Sequence, residues 1–255
     1  RHWFFKGKLI ENGKYLTNTL FSLVKSTLDK SSNSIVAFSD NSSVIEGFNI
    51  ENLTTSMNNL VEKNTNLMDL VLTAETHNFP TLICPFEGAN TGVGGRIRDN
   101  HSTGKGAYLL GSLAGYCVGD IDFNEDYNSL KYNYKNPLNI LIEASNGASN
   151  YGNKIGEPII GGFTRSFKKQ INNEFIEWVK PIMFSAGIGH INRKHVFKDK
   201  PSVGQLVVRI GGPAYKIGLG GGFSSSVSQN SQKKHLDYDA VQRGDPLMAK
   251  DIESF

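Results

Sequence analysis

Apolar positions along the chain fall into short clusters separated by polar and glycine-rich stretches. Leu16, Leu20, Phe21, Leu23, Val24 and Leu28 recur with helical period, which predicts a helix over 16–28 with its stripe in a core. Residues 34–38 read as a short strand, and Asp40-Asn41-Ser42-Ser43 as a turn. Residues 51–68 are rich in Asn, Thr and Ser and read as an exposed, partly helical excursion. Val71-Leu72-Thr73-Ala74 is a short apolar run with β-branched residues, the mark of a buried strand. Pro80 has no N–H to give a ladder, so that strand ends near Phe79. Beyond it, 107–118 reads as a strand, 120–137 as a long loop, and 139–142 as a strand passing into a helix start at Glu143. Residues 159–167 form a new strand, 168–174 a hairpin tip, 175–183 the return, and 205–210 a clean strand. A helix begins at Ala249. The expected class is α+β, mixed sheets with helices on one face, in two successive subdomains. The boundary is placed at Glu157-Pro158, giving units 1–158 and 159–255.

The chemistry concentrates where the apolar strand turns polar. Strand side chains alternate faces, so Glu75 and His77 share one face and Thr76 and Asn78 the other. Next comes Gly88-Ala89-Asn90-Thr91-Gly92-Val93-Gly94-Gly95, with four glycines in eight residues. Read as a loop, it offers successive backbone N–H groups to an anion. Arg96 and Arg98 follow as forks for phosphate oxygens. Asp99 and Glu75 are hard oxygen ligands of the kind Mg²⁺ takes beside substrate phosphates. There is no GxxxxGK[ST] and no GxGxxG after a strand, so the loop alone is a weak signal, better read as a structural turn with surface arginines. Loop and carboxylates together favour a phosphate site. A second stretch, Gly218-Leu219-Gly220-Gly221-Gly222-Phe223-Ser224-Ser225-Ser226, reads as a flexible turn or as a second phosphate-facing wall.

Composition narrows the partners. The chain has 255 residues, 38% hydrophobic and 20% charged, with a net charge of +3. That is too little positive charge for a nucleic-acid footprint, and it suits small anionic substrates. No apolar run approaches membrane-spanning length, and no signal peptide opens the chain. Cys84 and Cys117 lack metal-ligand spacing and read as reduced thiols in a cytoplasmic protein. Neither has the setting of a glutaminase nucleophile.

The segments ETHNFP (75–80), CPFEGANTGVGGRIRD (84–99) and TGKGA (103–107) resemble the formylglycinamide ribonucleotide amidotransferase family, also called phosphoribosylformylglycinamidine synthase, in its large, eukaryote-like form. EASNGASNYGNKIGEP, KPIMFSAGIG, GGPAYKIGLGGGFSSS and DYDAVQRGDP resemble the same family in the same order, so the likeness covers nearly the whole chain. It implies an aminoimidazole-ribonucleotide-synthetase-like architecture whose first subdomains pair into a β-barrel. It also implies an ATP-dependent C–N ligase reaction in purine biosynthesis. Formylglycinamide ribonucleotide, ATP and glutamine would become formylglycinamidine ribonucleotide, ADP, phosphate and glutamate, through an iminophosphate from which ammonia displaces phosphate.

By that resemblance His77 is catalytic, Thr76, Asn78, Arg98 and Gln242 touch substrate, and Glu75 and Asp99 hold Mg²⁺. The nucleotide, ATP or ADP, would lie on Gly88 through Asp99, that is Gly88, Ala89, Asn90, Thr91, Gly92, Val93, Gly94, Gly95, Arg96, Ile97, Arg98 and Asp99, and on Gly161, Gly162 and Phe163. Thr73 and Phe79 stand where short bacterial members carry Lys and His. The family's Ser-Glu-His-Cys stretch before RHWFFKG does not occur, so the chain reads as a synthetase-region piece, inactive alone. Its expected partners are a glutaminase domain as ammonia source and a second synthetase half, or a second copy, on the barrel face. Two other readings stay open: a non-catalytic scaffold half holding a structural ADP, and another ATP-dependent kinase or synthetase of the superfamily. ETHNFP with VQRGDP argues against the latter.

Overall fold

The computed structural model describes residues 5–30, 33–122, 135–226 and 234–254, the side chains of 234 and 235 excepted. The chain opens with a small hairpin, β1 (Ile10–Glu11) and β2 (Lys14–Tyr15). Helix α1 (Leu20–Ser26) follows, its first turn closed by a reciprocal Thr19/Ser22 capping box. The helix expected over 16–28 is thus present but shorter, and its apolar stripe is not core. No residue of α1 is buried, and Leu23 and Val24 are 46% and 45% exposed.

The body of the molecule is a six-stranded mixed sheet in the order β3-β4-β5-β10-β6-β7. It is built from β3 (Ser34–Val36), β4 (Ser43–Thr55), β5 (Val61–Thr76), β6 (Tyr108–Val118), β7 (Ile159–Ser166) and β10 (Ile182–Asn192). Residues 51–68, expected as a partly helical excursion, are instead the outer half of the long β4–β5 hairpin. Their cross-strand partners, such as Asn52 with Asn64 and Thr54 with Glu62, give the polar side chains something to pair with. β6 and β7 run parallel, joined by a helical crossover, while the other ladders in the sheet are antiparallel.

Short α2 (Asn78–Ile83) and long α3 (Pro85–His101) follow β5, and α4 (Pro137–Ile155) links β6 to β7. The expected strand over 139–142 lies inside α4. Asn136 caps the helix by accepting from the Asn139 N–H at 2.8 Å, Pro137 opens it, and Gly156 closes it at φ 88°. Ile140, Ala144, Ala148, Tyr151 and Ile155 form its buried stripe.

β8 (Lys168–Ile171) and β9 (Glu174–Glu177) form a hairpin, with Asn172 and Asn173 both at positive φ in the turn; the tip expected over 168–174 is thus narrower, and residues 159–166 pair with β6 instead. The strand expected over 205–210 is absent. Leu206 and Val207 are 90% and 100% exposed, and no described strand lies alongside to complete a ladder. The chain ends in α5 (Gly221–Ser224), α6 (Lys234–Ala240) and α7 (Pro246–Ser254). Most of the expected 120–137 loop lies outside the described residues.

Helices cover one face of the sheet. Along β10, Met183, Ser185, Gly187, Gly189 and Ile191 are buried and alternate with half-buried residues. Met183 packs with Ala89, Val93 and Ile97 of α3 and with Ala144, Ala148 and Tyr151 of α4. On the opposite face Leu72, Ala74, Leu113, Ile160, Ala186 and Ile188 line a shallow apolar hollow of about 360 Å³. The boundary expected at Glu157-Pro158 falls within this sheet, since β7 and β10 lie beyond it and β10 is central. No helix among the described residues is long and apolar enough to cross a membrane.

Candidate functional site

The glycine-rich stretch is not a loop. Residues 85–101 are helix α3, with Pro85 at its start and Ala89, Val93 and Ile97 spaced by four along the core-facing side. Its amides are engaged in the helical ladder, beginning with Gly88 N–H donating to the Cys84 carbonyl at 2.7 Å, so they form no anion cradle. The glycines are points of close approach. A Cβ at Gly88 would lie 2.4 Å from the Pro80 backbone, at Gly92 2.8 Å from His77 Cβ, and at Gly94 2.4 Å from the Tyr151 ring. Gly95 alone of the four meets nothing closer than 3.8 Å, the tip of Arg98. Asn90 and Thr91 are likewise occupied. Asn90 donates to the Gly147 carbonyl at 3.2 Å and Thr91 to the Gln242 carbonyl at 3.2 Å.

The two arginines have separate fates. Arg96, expected as a phosphate fork, is wholly buried and forms a bidentate pair with buried Glu157. Its Nε donates to Ser185 Oγ at 3.2 Å, and the guanidinium lies against Gly187, where a Cβ would come within 2.5 Å. Arg96 therefore ties α3 to β10 and to the end of α4. Arg98 is exposed and donates to the Tyr151 hydroxyl at 3.3 Å.

His77 stands between β5 and α2. Its backbone N–H still donates to Met183 at 2.9 Å, continuing the β5–β10 ladder. The Asn78 carboxamide oxygen accepts from the Met183 N–H at 3.0 Å, so part of that side chain serves the strand end. His77 Nδ1 lies 2.5 Å from the Gly88 carbonyl, which accepts only, so Nδ1 carries the hydrogen and Nε2 the lone pair. Burial pushes the imidazole pKa down; the Gly88 carbonyl opposes this and the Arg98 charge reinforces it. The result is a neutral base at physiological pH, fixed in one tautomer.

Two clefts flank this arrangement. His77, Thr76 and Asn78 line one of about 880 Å³, with Lys180, Gln242 and the two ends of α5, at Gly221-Gly222 and Ser225-Ser226. Arg98, Asp99, Asn41, Lys105, Tyr151 and Glu253 line another, of about 1010 Å³. The second glycine stretch therefore does wall the His77 cleft. Its Ser225 and Ser226 hydroxyls, however, donate to the Gly222 carbonyl at 2.9 and 3.1 Å. Gly161, Gly162 and Phe163 lie on strand β7 and line neither cleft; Phe163 packs against Phe184. Lys105 belongs to the TGKGA segment, whereas Lys180 and Tyr151 carry no spacing signal of their own in the sequence.

Glu75 and Asp99 come within electrostatic range. Partial desolvation and then the Asp99 charge push the Glu75 pKa up. Asp99 accepts from the Asn41 carboxamide at 3.2 Å. Among the described residues no group of three or more His, Cys, Asp or Glu side chains could hold a metal unaided. Two carboxylates within electrostatic range of each other do fit Mg²⁺, which binds through one or two carboxylates plus substrate phosphates.

No protein-family model matches the chain. It is 50% identical over 266 residues to the phosphoribosylformylglycinamidine synthase of Dictyostelium discoideum, covering 99% of this chain and 20% of that protein. The human phosphoribosylformylglycinamidine synthase is 47% identical over 262 residues, covering 97% and 20%. A relative from Arabidopsis thaliana, 47% identical over 264 residues and covering 99% and 19%, is named a probable chloroplastic/mitochondrial phosphoribosylformylglycinamidine synthase. The chain thus spans about a fifth of the length of the curated relatives it matches. Among solved structures, T. maritima PurL complexed with FGAR superposes with a TM-score of 0.51 at 21% identity, covering 90% of this chain and 30% of that one. That likeness concerns the fold, which is the aminoimidazole-ribonucleotide-synthetase-like α+β fold expected from the sequence.

Proposed function

We propose that this chain, which belongs to the phosphoribosylformylglycinamidine synthase family, carries a substrate-activating and nucleotide-binding half-site of that enzyme. One observation carries the reading. The end of β5 sets a neutral, single-tautomer His77 into a cleft and, two residues earlier, brings Glu75 within range of Asp99.

Formylglycinamide ribonucleotide would occupy the His77 cleft, touching Thr76, Asn78 and Gln242. The nucleotide phosphates would lie in the neighbouring cleft near Arg98, Lys105 and Asp99. Glu75 and Asp99 would hold Mg²⁺, which when bound neutralises charge on the nucleotide phosphates. The reaction assigned is transfer of the ATP γ-phosphoryl group to the glycinamide carbonyl oxygen, which gives an iminophosphate and ADP, followed by displacement of phosphate by ammonia. His77 Nε2 would accept the proton released at the amide nitrogen, while Nδ1 stays on the Gly88 carbonyl. Ammonia would come from a glutaminase domain outside this chain, and the open face of the sheet would meet a second synthetase half or a second copy. Two buried free thiols suit a reducing, cytoplasmic setting.

The test is His77→Ala in the intact protein. Turnover should fall by about 10²–10⁴-fold, while ATP affinity, measured by calorimetry, stays within a few-fold. Undiminished turnover would remove His77 from the mechanism. Unchanged turnover together with tight ADP retention would favour the scaffold reading.

A further inference from the structure

The His77 cleft needs something to hold the charged end of its substrate. Among the described residues that line it, Lys180 is the one formally charged side chain. The serine hydroxyls of the neighbouring turn are engaged with Gly222. The Arg98 guanidinium lies in the other cleft, bonded to Tyr151.

Lys180 is held in place from two sides. Its Nζ donates to the Ser225 carbonyl at 3.1 Å, and it lies 5.9 Å over the ring of Phe79, which is buried in α2. Pro181 follows it and fixes the backbone just before β10 begins at Ile182. The ammonium therefore stands in the same cleft as His77 on a different element, close to the turn that forms the opposite wall. A cation set in a concave, partly apolar cleft concentrates anions there.

We propose that Lys180 is the anion anchor of this cleft and binds the phosphomonoester of the ribonucleotide substrate whose amide reacts at His77. The assignment rests on the reading of the cleft as that substrate's site. It divides the two phosphate-bearing ligands: nucleotide phosphates go to the Arg98 and Lys105 side, and the substrate phosphate goes to Lys180.

The experiment compares two ligands by calorimetry in the intact protein: formylglycinamide ribonucleotide and the same compound without its phosphate. Lys180→Met should weaken the ribonucleotide about 10- to 100-fold, the range of a lost charged hydrogen bond, and leave the ribonucleoside unchanged. Lys180→Gln keeps a donor for the Ser225 carbonyl and removes only the charge. It serves if Lys180→Met fails to fold, and it should show the same selective loss. Equal weakening of both ligands, or none for the ribonucleotide, overturns the role of Lys180 while leaving the cleft assignment standing. Failure of the unaltered protein to bind the ribonucleotide overturns both.

Discussion

Replacing the glycines of α3 one at a time separates a helix from a phosphate loop. An interior helical glycine costs about 1 kcal/mol relative to alanine. At Gly95 the new methyl meets nothing nearer than 3.8 Å, and that atom is the mobile tip of Arg98. Gly95→Ala should therefore stabilise by up to ~1 kcal/mol, or about 2–4 °C in Tm for a domain of this size. At Gly88 the methyl would sit 2.4 Å from backbone atoms of Pro80 and Thr81, which cannot step aside. Overpacking costs of about 1–3 kcal/mol then exceed the propensity gain. At Gly92 the neighbours are His77 Cβ at 2.8 Å and Met183 Sδ at 3.1 Å. The thioether can yield, but His77 is tied to the Gly88 carbonyl, so the displacement falls on the imidazole. Urea titration should order the variants Gly95→Ala, wild type, Gly92→Ala, Gly88→Ala from most to least stable, with m unchanged. A destabilised Gly95→Ala, or a neutral Gly88→Ala, would show that residues 88–95 do not form this helix.

Other outcomes follow from the same contacts. Glu157→Ala leaves the Arg96 guanidinium buried without its partner and should cost about 3–5 kcal/mol in denaturant titration, whereas the paired change Arg96→Met with Glu157→Leu should recover most of that loss. Glu75→Gln relieves repulsion with Asp99, so the melting temperature should hold or rise while Mg²⁺-dependent ATP affinity, read by calorimetry, falls by about tenfold or more. Partial burial alone would raise the Asp40 pKa, but Lys198 and the Gly104 and Asn41 amides outweigh it and hold it below the ordinary carboxylate value of 3.8. A depressed carboxylate contributes stability above its unfolded pKa and loses it as pH falls through the folded one, so the gap in melting temperature between wild type and Asp40→Asn should be full near neutrality and close below about pH 4.

What could be read from the sequence depended on whether one signal dominated locally. Val71–Ala74, a short apolar run with β-branched residues, and 107–118, an apolar segment broken by Gly111 and Gly115, are strands as expected, whereas the similar apolar run at 139–142 is helix. The hydrophilic tract 168–174 does mark a chain reversal, though its turn is only Asn172-Asn173 and the residues on either side pair as strands. His77 was recognisable because ETHNFP places it at a strand end, and the fold does put it in a cleft. Helix α3 was misread because four glycines outweigh the quieter Ala89, Val93, Ile97 spacing, and only tertiary contact explains them. Arg96 was misread for a related reason. Nothing local announces Glu157, its partner 61 residues on. For residues 205–210 the apolar run is present, yet a strand also needs a neighbour.

The helix gives the site a property that a loop would not. His77 touches α3 at two successive turns, through a hydrogen bond to the Gly88 carbonyl and through van der Waals contact at Gly92. The same helix carries Arg96, locked to Glu157, and one turn further Asn100, packed against Gly189 of β10. Arg98 and Asp99 therefore project from a segment held at both ends of the turn that bears them. The imidazole in one cleft is bonded to the same helix that carries the guanidinium and carboxylate of the other, so their separation does not depend on loop closure. Each glycine in α3 sacrifices helix propensity, and Gly88, Gly92 and Gly94 each admit a neighbour that an alanine would push away. The unusual composition of this stretch thus fixes where the chemistry sits, by contact geometry rather than by backbone freedom.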